Sequence, residues 1–456
     1  MLLVFPDGVG IKNYLYSDAF QSLTDDLLMF HNFGADTLNY LRTVTTIADD
    51  FVIPDYKESV KEKFLRELIS LTRLQNNILI TGNQSLFENW RPQKKTLGLK
   101  LFYKSVSLAS HFIKDYSKIL KSERHYEKAI RQNPFYESIK LILKKSQPNL
   151  VFCCHQRGLK MATIFAAAKD LKIPTVTVIY SWDNLPKARL ALRADKYLVW
   201  SEYMQNELRT YYPEISLSNI VITGTPQFEF YSNQEYIIEK FEFYKRYKLD
   251  LNKKIICFSG DDARTSPDDP KYLEDLASEL IHSGLDKEFQ ILFRRAPVDN
   301  SGRYDAVIGR YHELIKEAPP LWQVNKGQGW NTAFPLTDDI NLLVSIAYYS
   351  DVVINIGSTM AFDFSIFKKP CIFINYDQQQ QSDKNWSVRT IYEFQHFRSM
   401  PDKNAVFWLN DIKQIGELLT RAIDSNSNTS IEKWRNIILG DYVGSSGKIK
   451  KIIHNL

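Results

Sequence analysis

The residues best suited to chemistry lie where apolar runs break. Val352-Val353-Ile354-Asn355 leads through Ile356 into Gly357-Ser358-Thr359-Met360-Ala361-Phe362-Asp363. Glycine lets a ligand approach the backbone closely. Ser358 and Thr359 place hydroxyls beside the unpaired N–H groups of a following helix's first turn, where the helix dipole favours an anion. The group expected there is a phosphate. Asp363, about one turn on, is spaced to accept hydrogen bonds from a ribose. The same residues serve equally well as a helix cap and a first-turn dipole partner. Phe289–Pro297, FQILFRRAP, puts Arg294 at the end of another apolar run, where its fork suits phosphate. Ser259-Gly260-Asp261-Asp262 ends a third; Gly260 can admit a phosphate, and the aspartates read as loop ordering. Two adjacent carboxylates do not make a metal site, and no metal or cofactor is expected.

A second set needs a different role. Asp7 and Gly8 stand in FPDGVG, His155 precedes Gln156-Arg157-Gly158 after LVFCC, and Trp182-Asp183-Asn184 follows TVTVIY. A transfer to a hydroxyl requires a base for its proton. His155 suits neutral pH, and Asp7 is the competing base. His155 could equally be a structural hydrogen-bonding residue. Asp183 and its neighbours read more readily as turn chemistry, and Arg157 offers a cation to a donor phosphate or an acidic acceptor.

The elements around these residues alternate. Strands are predicted at Leu2–Phe5, Ile78–Thr81, Leu150–Cys154, Pro174–Tyr180, Asp195–Trp200, Ile220–Thr223, Lys254–Ser259, Phe289–Arg294, Val352–Ile356 and Cys371–Asn375. Helices are predicted at Tyr14–Leu28, Gly158–Leu171, Glu202–Tyr211, Pro270–Ser283, Ile340–Tyr349 and Ser358–Phe367. Strand–helix alternation implies parallel sheets covered on both faces. The expected fold class is α/β, with two Rossmann-like domains facing a cleft. The chain divides into 1–230, carrying a basic helical insertion at 91–145, a connector at 231–250, a second domain at 251–430 and a helical tail at 431–456. Function in such sheets belongs at the carboxyl ends of the strands.

Composition narrows the class. The 456 residues are 44% hydrophobic and 24% charged, which excludes disorder. A net charge of +5 is small for a nucleic-acid binder, and no nucleic acid is expected. Four cysteines without C-x-x-C spacing read as buried thiols, so a cytoplasmic protein is expected. No apolar run reaches the roughly 18 residues of a membrane span. The charge is nevertheless uneven. Residues 91–145 hold 14 Lys and Arg against four acids, a local +10, interleaved with Leu99, Leu101, Phe102, Leu108 and Phe112. Such a mixture reads first as a solvated helix face, and second as contact with the inner face of the plasma membrane. Attraction of an acidic acceptor is a third use.

Strand-GSTMAFD-helix followed by Lys369-Pro370-Cys371-Ile372 resembles the donor domain of GT-B glycosyltransferases. The family's usual Glu stands here as Asp363. Phe293-Arg294-Arg295-Ala296-Pro297 is similar to an Arg-Pro-His-Pro element of related bacterial enzymes, with Ala296 at the His position. Val221–Pro226 resembles the strand and turn closing the first domain. The resemblance implies a metal-independent glycosyl transfer from a nucleotide sugar, with a UDP-sugar favoured. The acceptor implied is a glycan or a lipid-linked one, in surface-polysaccharide assembly. Gly357, Ser358, Thr359, Asp363, Arg294 and Gly260 would hold the donor. His155 or Asp7 would act as base, with Gly8, Arg157, Trp182, Asp183 and Asn184 lining the acceptor side. A non-hydrolysing nucleotide-sugar epimerase, a glycerophosphate-type polymer transferase and a silent nucleotide-sugar-binding protein are the alternatives.

Overall fold

The computed structural model describes residues 1–8, 10–21, 27–92, 95–323, 333–425 and 429–456. It contains two compact units. The first joins Met1–Gln227 to the last segment, Ile438–Leu456, with a short piece ending at Phe334; the second comprises Phe228–Gln323 and Pro335–Ile437. The terminal segment therefore does not stand apart as a tail. It seats on the first unit, where a Cβ on Gly440 would lie 3.1 Å from Trp200 O and one on Gly224 would lie 2.3 Å from Ser445 Oγ.

The first unit holds a seven-stranded sheet. Its strands are β1 (Leu2–Phe5), β2 (Leu28–His31), β3 (Asp49–Val52), β4 (Val151–Cys153), β5 (Thr175–Val178), β6 (Lys196–Val199) and β7 (Ile220–Ile222). All are parallel, in the order β3-β2-β1-β4-β5-β6-β7. β1, β4 and β5 are buried along their whole length, which continuous apolar runs produce in a sheet covered on both faces. The second unit holds β8 (Lys254–Ser259), β9 (Phe289–Arg294), β10 (Ile315–Glu317), β11 (Val352–Asn355), β12 (Cys371–Ile374) and β13 (Phe407–Leu409). They too are parallel, in the order β10-β9-β8-β11-β12-β13. Each sheet reverses its strand order once, between β1 and β4 and between β8 and β11. Those reversals are where doubly wound sheets open a crevice for ligands.

Two predicted elements differ. Ile78–Thr81 is the last turn of a 22-residue helix, Val60–Thr81, and not a strand. Leu68, Leu71, Leu74 and Ile78 continue one helical face inward. Ser59 and Glu62 form a capping box at the start, and Gly82 closes the end at φ 64°. Tyr14–Leu28 is not one helix. A short π-helical turn covers Ile11–Leu15, Leu28 begins β2, and 22–26 lie outside the described residues.

The basic insertion forms three helices, Leu97–Ser110, Tyr116–Ile130 and Pro134–Ser146. Lys94 lies outside the described residues. All four cysteines are buried and free. Among the described residues no helix is long and apolar enough to cross a membrane.

Candidate functional site

In the first unit, the loops after β1, β4 and β5 converge at the order reversal. Asp7 follows β1 and His155 follows β4. His155 Nδ1 lies 2.7 Å from Asp7 Oδ2. A carboxylate only accepts, so Nδ1 carries the proton and donates it. In a neutral ring Nε2 is then the acceptor, and it makes no hydrogen bond among the described residues. The two residues that compete for one role in the sequence are thus a single pair. Asp7 is buried and His155 half-buried, tilted over the Tyr180 ring at 5.4 Å.

Gln156 braces the next loop. Its Oε1 accepts from Tyr180 N at 3.1 Å, and its Nε2 donates to Asn184 Oδ1 at 3.0 Å. Asn184 donates to Asp183 at 2.8 Å, and Lys187 pairs with the other Asp183 oxygen. Trp182 is buried behind them. Gly8 has no room for a side chain, because a Cβ would lie 1.9 Å from Ala333 O.

Arg157 is exposed on the rim of a cavity of about 280 Å³. Arg73 and Arg193 also line it, but both are spent on Glu123 and Glu214. Gln156, Tyr180 and Lys187 carry no motif and escape sequence reasoning. So does Glu207, buried on helix Glu202–Tyr211. Burial pushes its carboxyl up to about 8; Tyr203 opposes the shift and the Asp183 charge adds to it.

In the second unit, the loops after β8 and β11 flank the other reversal. Gly357 has φ 67°, and a Cβ there would meet the Phe397 ring at 2.7 Å. Only glycine fits this turn. The helix that follows is shorter than its spacing suggests, Met360–Ile366. Two N–H groups of its entry already have acceptors: Ser358 N gives to Asn355 Oδ1 at 2.9 Å, and Met360 N to Ser358 Oγ at 3.3 Å. Ser358 and Thr359 are half-exposed, whereas Asp363 is buried.

Asp363 faces Tyr231, whose phenol is held protonated first by burial and then by the Asp363 charge. Arg294 is buried as well. Its Nη2 binds both Asp339 oxygens at 2.8 and 3.1 Å, and among the described residues its Nη1 has no hydrogen-bond partner. Asp339 also accepts from Leu321 N and Trp322 Nε1. Gly260 is required by packing, since a Cβ would meet Phe293 and the Tyr304 hydroxyl at 2.8 Å. Asp262 accepts from Arg264 N and Thr265 N, which is the loop ordering its position suggests. A cavity of about 500 Å³ opens beyond β12 and β13, walled by Tyr392, Phe397, Trp408, Arg389 and Asn410. Phe397 links it to Gly357. Among the described residues no three His, Cys, Asp or Glu side chains gather to hold a metal.

Solved structures share this architecture. The UDP-GlcNAc 2-epimerase of Neisseria meningitidis, bound to UDP-GlcNAc, is 11% identical, with a TM-score of 0.55 over 100% of this chain and 99% of that one. The corresponding enzyme of Methanocaldococcus jannaschii gives 0.52 at 11% identity over the whole of both chains. HepE of Anabaena in complex with UDP gives 0.50 at 11% identity, over 100% and 99%. The chain has the GT-B fold.

The sequence model of CDP-Glycerol:Poly(glycerophosphate) glycerophosphotransferase matches residues 183–397. In GT-B terms the match starts at Asp183 and takes in Gly260, Arg294, Gly357, Ser358, Thr359 and Asp363, leaving Asp7 and His155 outside. It supports a transferase. No curated protein matches the chain.

Proposed function

We propose that this GT-B protein transfers a glycerophosphoryl or related polyol-phosphate group from a nucleotide-activated donor to a hydroxyl of a glycan or lipid-linked acceptor. The observation that carries the reading is the glycerophosphotransferase match over 183–397, which spans Gly260, Arg294, Gly357, Ser358, Thr359 and Asp363. The donor's diphosphate meets Gly357, Ser358 and Thr359, and its nucleoside takes the adjoining aromatic cavity. The size of that cavity falls in the ordinary range for small-molecule sites, about 300–1,000 Å³.

In the transfer, the acceptor oxygen attacks the phosphorus that carries the glycerol. A new P–O bond forms, the bridge to the nucleotide breaks, and the nucleoside monophosphate leaves. The acceptor proton goes to Nε2 of His155, and Asp7 stabilises the imidazolium that results.

The test is nucleotide release from a panel of CDP-glycerol, UDP-, GDP- and dTDP-sugars with a polyol-phosphate primer. Primer-dependent release of CMP from CDP-glycerol is expected. Release of UDP from a UDP-sugar instead would replace this reading with glycosyl transfer. An epimeric nucleotide sugar would replace it with epimerisation, and binding without turnover would leave a silent protein.

A further inference from the structure

A groove in the second unit takes no part in the site above. Its volume is about 620 Å³, and all its lining residues belong to that unit. The size is within the ordinary range for ligand sites, about 300–1,000 Å³. It opens at the amino ends of the strands: Lys253 and Lys254 open β8, Asp351 precedes β11 and Lys369 precedes β12. The donor-side loops leave from the other ends of β8 and β11. β8 has six residues and spans about 20 Å, so the groove is a separate place.

The charge of the groove is one-sided. Four lysines line it, Lys240, Lys253, Lys254 and Lys369, against one carboxylate, Asp351. Asp351 is already committed, since its Oδ2 accepts from Ile255 N at 2.7 Å. Lys254 pairs with Glu288 at 2.8 Å, and Lys253 donates to Asp286 O at 2.8 Å. Lys240 Nζ lies over the Tyr244 ring at 5.6 Å. Neither Lys240 nor Lys369 has an ion-pair partner among the described residues.

The parallel register sets the spacing of these cations. Val352 pairs with Ile256 and Val353 with Cys371, so the entries to β8 and β12 flank the entry to β11. Neighbouring strands lie about 4.8 Å apart, which roots Lys254 and Lys369 about 10 Å apart. Cations rooted at that separation suit successive anions of a chain better than a single anion.

The aromatic wall decides the kind of chain. Tyr348 is 43% exposed. Its ring stands at 84° to Tyr349, 5.0 Å away, and at 85° to Phe367, 5.2 Å away. Nucleobases stack on successive ring faces, and rings at right angles give them no such platform. A polyol needs only one ring. Its C–H groups carry slight positive charge and lie against the negative face.

We infer that this groove is a second, non-catalytic binding site for a linear polyol-phosphate chain, with Lys240 and Lys369 on its phosphates and Tyr348 against the polyol between them. The inference deepens the reaction proposed above and rests on it for the identity of the chain, which is that reaction's primer and product.

Fluorescence anisotropy of a labelled glycerophosphate oligomer with the full chain, no donor present, tests it. Monomeric glycerophosphate, and oligo(dT) and polyglutamate of equal charge, serve as competitors. The oligomer is expected to bind at least about tenfold tighter than the monomer, because linked phosphates engage several lysines at once. Lys240→Gln with Lys369→Gln is expected to weaken oligomer binding about tenfold or more and to flatten its salt dependence. The thermal midpoint of that variant should not change. Tyr348→Ala should weaken binding several-fold and leave the salt dependence as it was. A lysine variant that binds the oligomer as tightly as the wild type overturns the inference, because the chain is then held elsewhere. So does oligo(dT) or polyglutamate that competes as well as the oligomer, since the groove would then suit nucleic acid or an acidic protein. CMP release without lysine-dependent binding removes the groove and leaves the proposed reaction standing. Lysine-dependent binding without CMP release removes the reaction and keeps the groove.

Discussion

His155 donates from Nδ1 to Asp7 Oδ2 across 2.7 Å, although 148 positions of chain separate them. The contact exists because β1 and β4 are neighbours in the sheet, in register from Leu2 with Val151 to Val4 with Cys153. Each strand then delivers its next loop to the same point. The bond fixes the imidazole's orientation and favours the tautomer with its proton on Nδ1.

From that relationship, His155→Ala should lower turnover by about 10²–10⁴-fold and leave nucleotide affinity unchanged. Asp7→Asn should also be damaging. The amide can present its NH₂ to Nδ1, which favours the tautomer with its proton on Nε2 and removes the base. Turnover of the accepted donor, measured beside calorimetric nucleotide binding, checks both. Full activity in His155→Ala would remove the pair from the chemistry.

Gly357 makes a stability prediction. A Cβ there must adopt φ 67° and enter the Phe397 ring. Gly357→Ala should therefore cost about 2 kcal/mol, from backbone strain and overpacking together. Urea denaturation measures it. Adding Phe397→Leu should recover part of the loss, because the two sites share one contact. Additive losses would show that the backbone, not the ring, sets the cost.

How far the sequence discloses this molecule depends on where each residue's partner lies. The buried strands β4, β5, β8 and β11 are legible because an uninterrupted apolar run has one natural place in a covered sheet. β3 is not: Asp49-Asp50-Phe51-Val52 is a half-exposed edge strand whose two aspartates hide its period. Ile78–Thr81 misleads because a short apolar run reads as a strand although only Ile78 turns inward and Leu79 and Ile80 are exposed, and the deciding signals, Ser59 and Gly82, lie outside it. In the site, residue types at strand ends are legible one by one. Their pairing is not, since Asp7 with His155 and Arg294 with Asp339 join through strand order and not through spacing. Glu207 sits in a helix that reads as polar, and its burial appears only once β6 and the loop after β5 are packed against it.

Glu207 predicts a pH dependence. Its carboxyl is raised from 4.5 to about 8 in the folded protein. Between those values the folded state binds more protons than the unfolded chain, so stability falls as pH rises through that window. Glu207→Gln keeps the shape and cannot ionise. Its thermal midpoint should match the wild type near pH 5 and exceed it increasingly toward pH 8. Parallel profiles for the two proteins would show that Glu207 is not held protonated.

Asp363 carries the last prediction, and two variants separate its possible partners. It is buried beside Tyr231, and it is also the residue expected to meet the donor ribose. If the carboxylate accepts from the ribose, Asp363→Ala should weaken nucleotide binding about tenfold or more, the usual size for a hydrogen bond to a charged group. Tyr231→Phe removes only the internal contact. It should leave nucleotide affinity unchanged. Calorimetry with the accepted nucleotide and urea denaturation of both variants supply the four numbers. Unchanged affinity in Asp363→Ala would make the residue a partner of Tyr231 alone. Equal affinity losses in both variants would mean that the pair shapes the pocket wall and that neither side chain touches the ribose.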